Sequence, residues 1–160
     1  MWGKIMWMVL VSIICVFSIG LYGINCFIER DKRNKSKIEQ QGRLIQLLLS
    51  WVDVKKDGFM LSDFLLDKGY RNIAIYGMGN LGTRLYNELK TSDVSVAYAI
   101  DKHAGDLDFE IEVKSLEENL PDVDVIVITP IYHISDIKKD LEKKTTAELV
   151  SIEDIVYGLL

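Results

Sequence analysis

Asn72-Ile73-Ala74-Ile75-Tyr76-Gly77-Met78-Gly79-Asn80-Leu81-Gly82 is the stretch that decides the fold. A short apolar run leads into glycines spaced G-x-G-x-x-G, and a helical segment follows to Lys90. A second apolar run then covers Val94 to Ile100 and ends at Asp101. Strand, glycine turn, helix and strand in that order make a βαβ unit, whose two strands lie parallel because the helix carries the chain back to the starting edge. Each glycine has its own expected duty. Gly77 allows a tight turn out of the strand, Gly79 lets backbone approach a phosphate, and Gly82 lets the helix sit close on the sheet. A helix beginning near Asn80 then aims unpaired N–H groups and its positive dipole end at an anion.

Asp101 lies 24 residues beyond Gly77, near the roughly 20-residue spacing at which an acidic side chain meets ribose hydroxyls. A carboxylate there predicts NAD in preference to NADP, because a 2'-phosphate would face a negative charge. Ligands of open α/β sheets lie at the carboxyl ends of the strands, which places Lys102, His103, Thr129, Tyr132 and His133 on the same rim. The expected cofactor-binding set is Gly77, Met78, Gly79, Asn80, Leu81, Gly82, Asp101, Lys102 and Thr129. The alternative is a domain whose glycines serve only the turn and whose pocket is empty.

Upstream, the 24 residues from Ile5 to Ile28 carry no charge, and a helix rising about 1.5 Å per residue would cross a hydrocarbon core of about 30 Å. The expectation is a single-pass transmembrane helix over 1–28, with Trp2, Trp7, Tyr22 and Phe27 toward its interfaces. Residues 29–37 form a basic juxtamembrane segment, with five basic and two acidic side chains. By the positive-inside rule the protein belongs in the cell membrane with its C-terminal domain cytoplasmic. A signal peptide cleaved near Ser18-Ile19-Gly20 is the rival, disfavoured because the apolar run continues to the basic cluster.

Residues 38–70 read as a helical arm continuing from that anchor. Ile38, Leu44, Ile45, Leu48, Leu49 and Val52 recur at helical spacing, and Ser62 caps a second short helix that Gly69 ends. The arm either covers the sheet of its own chain or forms a homodimer contact; packing within the chain is the first expectation.

Residues 71–160 are the expected nucleotide-binding domain, α/β, with a small, doubly wound and mostly parallel sheet of about five strands. Lys102 to Asp108 is too short for the usual crossover helix. Glu110 to Lys114 predicts an edge strand, and Ser115-Leu116-Glu117-Glu118 a capping box opening a short helix before Pro121. Val123 to Ile128 predicts a central strand buried on both faces. Thr129 is then the expected N-cap of a helix with Pro130 at its first position. Glu148 to Val150 gives a last strand, and Ser151-Ile152-Glu153-Asp154 caps a closing helix.

From Ile38 onward 22 acidic residues face 13 basic ones, which excludes the basic patch that a nucleic-acid partner requires. Both cysteines, Cys15 and Cys26, lie in the N-terminal apolar stretch, leaving the globular part no disulfide framework and no thiolate metal site. The sequence lacks a nucleophile elbow, a metal-ligand helix pair, a phosphate-cradling lysine after the glycines and a substrate domain. A complete enzyme is therefore not expected. His133 or Tyr132 would act as acid or base only in a site completed by a second copy.

On Ile73 to Gly82, Ala99-Ile100-Asp101, Asp124 to Thr129 and Ser151 to Ile155, the chain from about Leu44 to Leu160 resembles small NAD(P)-binding Rossmann-like domains of bacterial polysaccharide and sugar-nucleotide biosynthesis proteins. It is similar, more loosely, to the nucleotide-sugar-binding domain that precedes the acyltransferase repeat in sugar acetyltransferases. The resemblance implies a nucleotide or nucleotide-sugar ligand and a place in polysaccharide biosynthesis at the cell envelope. The implied function is a membrane-anchored binding module. A scaffold that keeps the fold without binding, and an oxidoreductase or epimerase-like enzyme completed by dimerisation, are the alternatives.

Overall fold

Strand β1 (Asn72–Tyr76) occupies the middle of a five-stranded sheet ordered β3-β2-β1-β4-β5, in which β2 is Ser95–Ile100, β3 Val113–Lys114, β4 Val125–Ile128 and β5 Glu148–Ser151. Every pairing is parallel. The computed structural model describes residues 2–106 and 109–160; the side chains of residues 4, 5, 8–20, 25, 34 and 106 also lie outside the description. The chain winds outward from β1 to β3 on one side, then returns to lay β4 and β5 on the other. This is the α/β architecture with a five-stranded parallel sheet that the sequence predicts. β1 and β4 are apolar throughout their centres because they are buried on both faces: Ile73, Ala74, Ile75 and all of Val125–Ile128 have no exposed surface.

The helices are α1 (Trp2–Lys56), α2 (Leu61–Asp67), α3 (Asn80–Leu89), α4 (Ile134–Leu141) and α5 (Ile152–Gly158). Alternation along the strands sends Ile73, Ile75, Val125 and Val127 to one face, where they meet Leu47, Trp51, Leu61, Leu85 and Ile155. Ala74, Ile126 and Ile128 point to the other face and pack with Leu141. Tyr98 and Ile100 share that second face, whereas Val96 belongs to the first. A bulge causes the switch: Ile73 pairs with Val96 but Ala74 with Tyr98, so Ala97 is an extra residue in the ladder. β3 pairs with Ala99 and Ile100 only, leaving the earlier part of β2 on an open edge.

Among the described residues no α-helix joins β2 to β3, in keeping with the short spacing. A 3₁₀ turn (Ala104–Asp106) and the following loop take its place. Phe109 stands edge-on to Tyr86 of α3 with ring centroids 6.2 Å apart, and Glu110 meets Lys90 at 2.8 Å. The helix expected after Ser115 does not form. Its capping bonds do, Ser115 N donating to Glu118 Oε1 at 2.7 Å and Glu117 N to Ser115 Oγ at 3.1 Å. Pro121 follows too soon for a helix to propagate from that turn. Ser151 caps α5 as expected, its hydroxyl accepting from Asp154 N. At α2 the cap is Met60 rather than Ser62, with the Met60 N–H donating to the Asp63 carboxylate at 2.7 Å.

Asp124, just before β4, accepts from the backbone N–H groups of Arg71 and Asn72, each at 2.8 Å. These two bonds hold its carboxyl below the usual carboxylate range. A depressed folded-state pKa means stability that is present above the unfolded value of about 3.9 and lost as pH falls through the lower folded value. Asp124→Asn is expected to lower the melting temperature at neutral pH and to converge with the native chain under strong acid. Melting curves across that acid range check it, and parallel curves would remove Asp124 from the acid transition.

The chain divides into two compact units, Met1–Arg43 and Leu44–Leu160. The expected membrane span in the first is corrected. Among the described residues no helix is long and apolar enough to cross a membrane, so the transmembrane, single-pass and cell-membrane expectations fall, and with them the cytoplasmic side inferred from topology. The helix does not end with the apolar stretch: α1 continues unbroken through the charged residues Glu29 to Lys37 as far as Lys56, and most side chains of that stretch, including those of Cys15, Ser18 and Ile19, lie outside the described residues.

Candidate functional site

At the carboxyl end of β1 the chain turns through Gly77 with φ of 91°, a left-handed conformation that glycine adopts without steric cost. A side chain there would also run into Pro130, whose Cδ lies 2.8 Å from the position of a Cβ. Gly82, one turn into α3, needs glycine for a different reason. A Cβ at Gly82 would fall on the carbonyl oxygen of Gly77, so α3 can lie this close to the turn only without it. Gly79 is the N-cap of α3, with φ −70° and ψ −161°, and nothing stands within 4 Å of where its Cβ would be.

Two side chains brace the turn. Thr129, at the end of β4 and almost fully buried, donates from Oγ1 to Gly77 O at 2.6 Å and also lies 3.1 Å from Tyr76 O. It is not the helix N-cap that the sequence predicts. Helix α4 begins at Ile134, five residues later, because Thr129 is held inward on the glycine turn and His133 takes the cap position in the left-handed region, φ 57°. Thr83 supplies the second brace, its Oγ1 donating to Met78 O at 3.1 Å. The sequence reading missed Thr83; its signal is a hydroxyl residue in the first turn of the helix that follows the glycines.

Asp101 reaches across from the end of β2. One carboxylate oxygen accepts the Met78 N–H at 2.8 Å and the other the His103 N–H at 2.9 Å. Its side chain is 14% exposed, with the His103 ring Nδ1 3.6 Å away. A carboxylate offers about four acceptor positions, so two remain for hydroxyl donors from outside. Tyr76 beside it is a neutral phenol: burial, then the Asp101 and Asp140 carboxylates, raise its pKa above the ordinary value.

The structure thus gathers Gly77, Met78, Gly79, Gly82, Asp101 and Thr129 into one bonded turn at the point where the strand order reverses. Asn80 is exposed at the first position of α3, whereas Leu81 is buried and faces the core. Lys102 is exposed in the turn after β2. His133 stands 79% exposed at the N-cap of α4, with Nδ1 3.9 Å from Asp136. No protein-family model, no curated protein and no solved structure matches this chain. The site therefore has to be read from its own geometry.

Proposed function

We propose that the turn at Gly77 to Gly82 binds the phosphates of a nucleotide, NAD as the first expectation and a nucleotide sugar as the second. The observation that carries this reading is the contrast between the glycines. Gly77 and Gly82 are explained by backbone conformation and by close packing, so a turn without a ligand would need both. Gly79 is explained by neither: its backbone is open to any residue and its missing side chain borders free space. Serine, threonine, aspartate and asparagine equal or exceed glycine as N-caps, so the absence of a side chain at the mouth of α3 leaves room for something that is not protein. An anion there meets the free N–H groups and positive end of a ten-residue helix.

Asp101 then selects the sugar. Its remaining acceptor positions suit ribose hydroxyls, and its charge opposes a 2'-phosphate. NAD is expected to bind the full-length chain more tightly than NADP in calorimetric titrations at one ionic strength. A charge-assisted hydrogen bond contributes on the order of 1.5 to 3 kcal/mol, so Asp101→Asn is expected to weaken NAD by roughly tenfold or more and to narrow the gap to NADP. Tighter NADP binding by the native chain would transfer control of the pocket to Lys102. The binding reading itself rests on Gly79→Val, which is expected to abolish the thermal shift given by NAD or UDP-sugars while the unliganded melting temperature stays close to native. A native chain unmoved by NAD, NADP and UDP-sugars alike overturns it.

A further inference from the structure

We propose that α1 pairs in parallel with α1 of a second copy of this chain, through a seam of Ile45, Leu49 and Val52. The inward stripe of the helix, Leu47, Trp51 and Val54, is buried in its own domain, yet Ile45, Leu49 and Val52 on another face are 58%, 61% and 51% exposed. A solvated helix face is ordinarily polar. These three are spaced four and three residues apart. A 4-3 apolar repeat is the seam of a left-handed coiled coil, and the same seam on two copies is self-complementary about a two-fold axis. Leucine at one seam position with isoleucine at the other favours more than two strands in free helices. Here the neighbouring stripe is taken by the domain core, and a pair is what remains.

Charge supports the second copy as occupant. In the parallel register set by this seam, residue 53 of one helix flanks residue 48 of the other. Leu48 lines a groove of about 840 Å³ between α1 and α3, together with Val52, Lys55 and Arg84. Lys55 is engaged with Glu88 at 2.8 Å, whereas Arg84 makes no ion pair among the described residues. A second copy brings Asp53 to that groove. Within its own chain Asp53 holds only an exposed contact with Lys56 at 3.0 Å, of the kind that contributes little and exchanges readily.

Sedimentation equilibrium of the 160-residue chain is expected to give a mass twice 18.3 kDa. Leu49→Glu is expected to weaken self-association at least tenfold while the monomer fold is kept, because Leu49 is exposed; any fall in melting temperature should be confined to protein concentrations at which the native chain is dimeric. Arg84→Glu is expected to weaken it as well, and Asp53→Arg in the same chain to restore it. With Cys15 and Cys26 replaced by serine, Ile45→Cys and Val52→Cys should each form a disulfide-linked dimer under mild oxidation, whereas the exposed control Thr91→Cys should not. A monomer at every concentration, self-association indifferent to Leu49→Glu, or cross-linking at Thr91→Cys equal to that at Ile45→Cys overturns the proposal.

Discussion

Gly82→Ala is expected to destabilise the protein by about 3 kcal/mol or more, at the upper end of the cost of forcing extra atoms into a packed site. The sign is what makes the result informative. Gly82 lies inside α3, where replacing glycine by alanine ordinarily stabilises a helix by about 1 kcal/mol. Here the new methyl would occupy the position of the Gly77 carbonyl oxygen, with the Gly77 carbonyl carbon 3.0 Å away. Both are backbone atoms, and the neighbouring Thr129 hydroxyl is itself bonded to that oxygen. Relief therefore requires moving α3 off the sheet or breaking the turn. Gly79→Ala provides the control: no atom stands within 4 Å of its Cβ, and the expected change is within about 1 kcal/mol. Thermal melts of the two variants beside the native chain make the comparison. Equal stability of Gly82→Ala and Gly79→Ala would mean that α3 is not held against the turn as described.

Glu88→Ala is expected to be of similar size, about 3 to 5 kcal/mol, the cost of breaking a buried charged network by removing one partner. The Glu88 side chain is only 5% exposed. One oxygen accepts the Leu61 N–H at 2.7 Å, at the start of α2, and the other accepts Trp51 Nε1 at 3.1 Å and the Lys55 ammonium at 2.8 Å. A single carboxylate thus fastens α1, α2 and α3 to one another above the sheet. Its removal leaves an indole N–H and a backbone N–H buried without acceptors, each a cost of about 1 to 3 kcal/mol. Glu88→Gln keeps the shape and one acceptor, and is expected to recover part of the loss. Chemical denaturation of the three chains gives the ordering native, glutamine, alanine. A glutamine variant as unstable as alanine would assign the whole effect to the charge, and an alanine variant as stable as native would remove the network from the energetics.

The sheet was legible in the sequence because its signals are local. Ile73 to Gly82 spells a strand, a turn and a helix start within ten residues, and Val125–Ile128 is apolar without interruption because both faces are covered. What failed depended on partners far along the chain. Thr129-Pro130 has the local chemistry of a helix start, but the Thr129 hydroxyl is claimed by Gly77, 52 residues earlier, and the cap passes to His133. The arm read as one amphipathic stripe. Only the positions of the sheet and of α3 separate Leu47, Trp51 and Val54, which face inward, from Ile45, Leu49 and Val52, which do not. Glu88 carries no signal in the sequence, since nothing nearby announces that Trp51 and the start of α2 converge on it. For the site, spacing identified Asp101 and the glycines, and the bond from Met78 N–H to Asp101 became visible only when β2 was laid beside β1.

The extra residue in β2 bears on how this protein behaves among its own copies at high concentration. Among the described residues no strand neighbours the outer edge of β2 ahead of Ala99, and such an edge is a template onto which another extended chain can add. Ala97 interrupts the regular spacing of donors and acceptors along that edge and increases its local twist. An incoming strand would find the ladder out of phase after two residues. One alanine therefore lets Tyr98 cross to the second face and donate from its hydroxyl to Pro121 O at 2.8 Å, and the bulge it makes leaves the edge a poorer template for an added strand.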